Sequence, residues 1–194
     1  MNAQKLFGIG AIALTLTLGF GSCKSKYQTV SADKEVGKIL EELPCEDKGR
    51  SDKNFFRASA LATSSDLSLA GEKALLLAKQ RLVTLINSNT KSVTDRYVNE
   101  REVVGAAEFE QKFENLTREV ADETLNNIVI ICEKKSVLDT KQYRAFIAIE
   151  VSKDDILNGI QRKVGKNEKL QLDYDKKKFE EIFNSEMEKM AEQK

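Results

Sequence analysis

The stretch from Phe55 to Ile86 sets the terms for everything else this chain can fold into. Phe55-Phe56-Arg57-Ala58-Ser59-Ala60-Leu61-Ala62 alternates, placing Phe56, Ala58, Ala60 and Ala62 on one side of an extended strand. All but Phe56 are small. After Ser64-Ser65-Asp66 the period changes. Leu67, Ala70, Ala74, Leu75, Leu77, Ala78, Leu82, Leu85 and Ile86 fall on one half of a helical wheel. Small side chains on a strand let a helix axis lie close to the sheet, so the unit reads as a strand with a long helix folded back over it. Leu69, Leu76 and Val83, spaced by sevens, lie on the opposite side of that helix. A helix with two apolar sides is usually sandwiched between layers. The second stripe therefore predicts a partner, either a later helix of this chain or a second copy. The plainer alternative is three tolerated helix formers on an exposed side.

The rest of the chain supplies candidates for those layers. Lys91–Arg101 either extends the first helix or forms a loop. Ala106, Phe109, Phe113, Leu116 and Val120 then recur at steps of three and four, the narrow seam of a second helix, with Gly105 marking the break before it. This seam is the natural partner for Leu69, Leu76 and Val83. Ile128-Val129-Ile130-Ile131-Cys132 reads as a short β-branched strand, and Leu138–Gln142 as a turn. Tyr143, Ala145, Ile147, Ile149 and Val151 alternate with Arg144, Phe146, Ala148 and Glu150, the pattern of an antiparallel strand with one buried face. Ser152-Lys153-Asp154-Asp155 fits a helix start and Val164-Gly165 its end, and Phe179, Ile182, Phe183, Met187 and Met190 define a last amphipathic helix. The expected fold is α+β in the order β-α-α-β-β-α. It is a small antiparallel sheet of about three strands packed on a long helix, with extra C-terminal helices.

The first residues carry an address. Lys5 precedes an apolar run from Leu6 to Phe20, shorter than the roughly 20 residues a helix needs to span a bilayer. The run ends in Phe20-Gly21-Ser22-Cys23. Small residues before a cysteine, directly after such a segment, resemble the lipobox of bacterial lipoproteins, although Phe20 stands where leucine is usual. That resemblance implies cleavage before Cys23, acylation of its thiol, and attachment to the membrane through the lipid. Lys24 is not the aspartate that in many lipoproteins acts as an inner-membrane retention signal, so outer-membrane attachment facing the periplasm is favoured. The expected divisions are 1–22, signal peptide; 23–53, a polar tether after lipidated Cys23; 54–165, the α+β lipoprotein domain; and 166–194, a C-terminal amphipathic helix. Within the tether, Val36, Ile39, Leu40 and Leu43 have helical spacing.

A second resemblance follows from the domain. The Phe56-Arg57-Ala58 strand, then Ala70, Ala74 and Ala78-Lys79-Gln80-Arg81-Leu82, then Tyr143-Arg144-Ala145 leading into Glu150-Val151-Ser152-Lys153-Asp154, resembles the LPP-twenty-type family of bacterial envelope lipoproteins. It covers about 54–157. It implies a dodecin-like core, a helix cradled by a small antiparallel sheet, and it carries no catalytic residues over to this chain.

Reactive chemistry is sparse. The chain has no histidine, which removes the usual general base and the commonest metal ligand. Lys plus Arg equals Asp plus Glu, 31 each, so no basic field is present to hold nucleic acid. Gly159–Asn167 superficially resembles a phosphate loop, but it has one residue too many between its glycines and asparagine in place of the hydroxyl. Asp154-Asp155 suits a helix N-terminus better than a metal site. With Cys23 lipidated, Cys45 reads as a free thiol and Cys132 as a small buried hydrophobe, ahead of a bridge between them. No catalytic, metal or cofactor-binding residue is assigned; the site residue is Cys23. The expected function is a non-enzymatic envelope lipoprotein that binds a protein partner, itself or cell-wall material. The alternative is a small-ligand-binding or enzymatic domain with a site between sheet and helices.

Overall fold

The computed structural model describes residues 42–101, 103 and 105–192. Strand β1 (Phe55–Ser64) leads into helix α1 (Leu67–Arg101), followed by α2 (Ala106–Thr124), β2 (Val129–Val137), β3 (Tyr143–Ser152), α3 (Lys153–Val164), α4 (Glu168–Asp173) and α5 (Lys176–Glu192). The three strands form one antiparallel sheet in the order β1-β3-β2. This is the α+β arrangement expected, with Lys91–Arg101 continuing α1. Gly105 ends the interruption at φ +73°, a left-handed conformation that glycine adopts at no steric cost.

The small residues explain how closely the layers sit. Phe56, Ala58, Ala60 and Ala62 are buried on one face of β1, opposite Val151, Ile149, Ile147 and Ala145 of β3. Ala70, Ala74 and Ala78 of α1 are fully buried over them. The buried row on α1 then runs on in steps of four, through Leu82, Ile86, Thr90, Thr94 and Val98. Each step of four advances about 40° around a helix of 3.6 residues per turn, so the row winds round α1 instead of holding one face. Its first half faces the sheet; its second half faces other helices.

That winding corrects the reading of α1 as two straight apolar stripes. Leu67 and Leu77, expected on the sheet side, are exposed, and so are Leu69 and Leu76 of the second stripe; only Val83 packs partly against the core. α2 does form an antiparallel hairpin with α1, since Phe109 stacks on Tyr97 while Thr117 lies beside Asn87 and Ser88. Its buried Phe109, Phe113, Leu116 and Val120 join the common core, without Leu69 or Leu76. Gly159 of α3 accounts for the other side of α2. A Cβ there would stand 2.7 Å from Val120 Cγ1, so glycine permits the two helices to touch.

Three further expectations are corrected. β2 is longer than Ile128–Cys132 and is not buried: Val129, Ile130 and Val137 are exposed, because β2 is an edge strand that α1 does not cover. β3 is central, so Phe146 and Ala148 on its second face are buried as well as the alternating row. The C-terminal helix is no appendage, because Phe179, Ile182, Phe183 and Met187 are at most 2% exposed and belong to the same core as β1 and α1. The turn at Leu138–Gln142 and the start of α3 stand as expected; Ser152 Oγ accepts from the Asp154 N–H at 3.1 Å.

Candidate interaction surface

The far face of the sheet is closed by residues read from sequence as the end of a tether. Cys45 is disulfide-bonded to Cys132 of β2, so the expectation of a free thiol and a lone buried hydrophobe does not hold. The chain path brings residues 87 apart to a Cα separation of 5.6 Å, within the span a disulfide bridges. Phe146, Ala148 and Ile131 pack around the bond. Beyond it, Ser51 Oγ accepts from the Arg57 N–H at 2.8 Å, and the Asp52 N–H donates to the Phe55 carbonyl at 3.0 Å. The outer edge of β1 is thereby occupied from Phe55 to Arg57, and Arg81 adds a bond to the Ser59 carbonyl at 2.7 Å.

Arg57 ties this clasp to the sheet. Its guanidinium donates to Asp52 at 2.5 Å and to Glu150, its cross-strand neighbour on β3, at 2.8 Å. Burial works against the charge on Arg57, but the bonds to Glu150 and Asp52 outweigh it and raise the pKa. For Asp52, burial likewise opposes ionisation. The Asn54 and Phe55 N–H groups and Arg57 overcome it and hold the carboxyl below its ordinary value.

A second cluster, also not visible as such in the sequence, joins the helices. The Tyr97 hydroxyl donates to the Asp173 carbonyl at 2.8 Å and accepts from the Asp175 N–H at 2.6 Å, pinning the α4–α5 junction to α1. Phe109, Tyr174 and Phe179 surround its ring. Burial raises the pKa of both Tyr97 and Tyr174, so each phenol stays protonated at neutral pH. Two ion-paired groups beside this cluster are shifted toward the charged form. The Glu100 carboxylate raises the Arg96 pKa, and Lys178 lowers that of Glu100. Groups poised for proton transfer are shifted toward neutrality instead; these shifts are those of structural ion pairs.

Cys23, the residue expected to be lipidated, lies outside the described residues. Among the described residues, no cluster of three or more histidine, cysteine, aspartate or glutamate side chains could hold a metal ion, and no helix is long and apolar enough to cross a membrane. Between the sheet and the first half of α1, the alanine rows of β1 and α1 are buried against each other. A depression of about 410 Å³ opens between α2 and α3, lined by Lys112, Asn115, Leu116, Glu119, Lys163, Lys166 and Asn167. Glu119 and Glu123 both engage Lys163 at its margin. Among the apolar side chains left exposed on an otherwise charged surface are Leu69, Leu76 and Leu77 along α1, at 42%, 57% and 40% exposure, and Val129, Ile130 and Val137 on β2. Comparison of the chain with models of protein families, with curated proteins and with solved structures found no match.

Proposed function

We propose that this chain is a lipoprotein of a bacterial cell envelope, anchored in the membrane by acylation of Cys23, whose folded domain is a non-enzymatic structural or protein-interaction module. The observation that carries the reading is Phe20-Gly21-Ser22-Cys23 directly after the apolar Leu6–Phe20 run. The Cys45–Cys132 bond supports it independently, since structural disulfides persist in oxidising compartments such as the periplasm. The resemblance to LPP-twenty-type envelope lipoproteins points the same way. The exposed leucines of α1 support the interaction role: apolar side chains grouped on one solvent-facing side are the kind of surface a partner covers. Several acyl chains make a stable attachment, at about 0.8 kcal/mol per buried CH₂. Metabolic labelling with an acyl-chain analogue tests the anchor. Wild type is expected to take up label and Cys23→Ala to take up none; equal labelling of the two refutes it. Crosslinking and pull-down from native membranes then tests the interaction role.

A further inference from the structure

The two edges of the sheet are treated differently. The edge of β1 is occupied over its first half, Phe55 to Ser59, by Ser51, Asp52 and Arg81, as described above. β2 pairs only with β3, so along its nine residues the outward-pointing backbone groups have no strand beside them among the described residues. Exposed Val129, Ile130 and Val137 lie along this strand. A long edge with apolar side chains and no proline is a template for another strand unless something blocks it. We propose that β2 is a self-pairing edge, and that two copies of this chain join antiparallel along it into one continuous sheet with three strands from each copy.

The charges on β2 select both the partner and the register. Residues directly opposite one another share a face of a sheet. Glu133 stands opposite Ile147 and Lys135 opposite Ala145, so both lie on the helix-facing side, while Lys134, opposite Phe146, lies on the other. A two-fold axis through Lys134 sets Glu133 of each copy against Lys135 of the other, making two opposite-charge pairs. It also brings Val137 of one copy beside the Ile130–Ile131 bulge of the other. Shifting the axis to Glu133 or to Lys135 places like charges opposite each other on that face. Of these three registers, the one centred on Lys134 pairs opposite charges. The cost falls on the two Lys134 side chains, long enough to splay into solvent. Within one copy Lys135 turns back to Glu133 at 2.8 Å, with both side chains more than two-fifths exposed. The intrachain pair exchanges for the cross-strand pairs without burying an unmatched charge.

This deepens the interaction-module reading by naming a second copy as the partner, and it needs no lipid, so it is separable from the anchor at Cys23. The full chain, purified in detergent, is examined for self-association by analytical ultracentrifugation. Wild type is expected to be dimeric. Glu133→Lys replaces both opposite-charge pairs with like-charge pairs and should weaken the dimer by about tenfold or more. The swap Glu133→Lys with Lys135→Glu should restore it, and an unchanged far-UV circular dichroism melt of the single variant shows that it is folded. Lys134→Cys should form an intermolecular disulfide linking position 134 to itself, identified by mass spectrometry. A wild-type chain that stays monomeric at about 100 μM overturns the proposal. So does a dimer that ignores the charge changes and forms no 134–134 link, because its interface then lies elsewhere.

Discussion

Breaking the Cys45–Cys132 bond is the most direct way to measure how much of this fold the clasp holds. The two cysteines are 87 residues apart, so the bond closes a loop that contains β1, α1 and α2. In the chain-entropy account a crosslink stabilises by restricting the unfolded chain, and a loop of this length corresponds to about 4.6 kcal/mol at 25 °C. That is a large fraction of the roughly 5–15 kcal/mol by which a domain is stable. The packing of Phe146, Ala148 and Ile131 around the sulfurs adds a native-state contribution that a serine pair would lose. The perturbation is Cys45→Ser with Cys132→Ser, compared with wild type under oxidising and reducing conditions in urea, reading the midpoint and slope. The double variant and reduced wild type should both show a midpoint lower by an amount equivalent to about 3–5 kcal/mol. A steeper slope is also expected, because an uncrosslinked unfolded chain exposes more surface. Equal midpoints for oxidised wild type and double variant would refute the reasoning, because the clasp would then be held without the bond.

Three other outcomes follow from the same geometry. Tyr97→Phe leaves the Asp173 carbonyl and Asp175 N–H without their partner and should cost roughly 1–3 kcal/mol in chemical denaturation, loosening the α4–α5 junction first by hydrogen exchange. Truncation after Gly165 removes Phe179, Ile182, Phe183 and Met187, each worth about 2–5 kcal/mol when cut back to alanine, so the shortened chain should lack a cooperative melt by circular dichroism. Asp52 has a folded pKa below its unfolded value, so its contribution is complete above about pH 4 and disappears as pH falls through the folded value. Asp52→Asn should therefore lower the thermal midpoint at neutral pH and flatten its decline in acid, measured against wild type by scanning calorimetry.

What could be read from the sequence was whatever depends on local period. Phe56, Ala58, Ala60 and Ala62 announced a one-faced strand, and Ser152 and Gly165 marked the ends of α3, because these features are set within a few residues. Burial at β2 could not be read in that way. The run Val129–Ile131 has the β-branched composition of a strand, yet composition does not say whether a layer lies over it. Topology decides that, and α1 lies over β1 and β3. The same reason hid the disulfide, the Arg57–Glu150 pair and the seating of Tyr97 between α4 and α5, all of which join residues distant in sequence. Of the features that carry the proposed function, Cys23 is legible as a motif, the leucines of α1 are legible as a stripe, and their exposure is not.

The winding row on α1 connects the fold to the surfaces left for partners. In steps of four the buried positions reach Thr94 and Val98, on about the same side of the helix as Leu69 and Leu76. In the second half of α1 other helices of the same chain cover that side. In the first half it faces outward with its leucines in place. The stripe that read as a demand for a partner is thus met over one half of the helix and open over the other. The C-terminal helix, which read as amphipathic, is spent on the shared core, where Phe183 meets Phe56 edge to ring at 6.4 Å. Contacts with other molecules are therefore expected at the open half of α1 and at the free edge of β2. Substitutions at Leu69 and Leu76 should change association while leaving the melting transition in place, and substitutions in α5 should do the reverse.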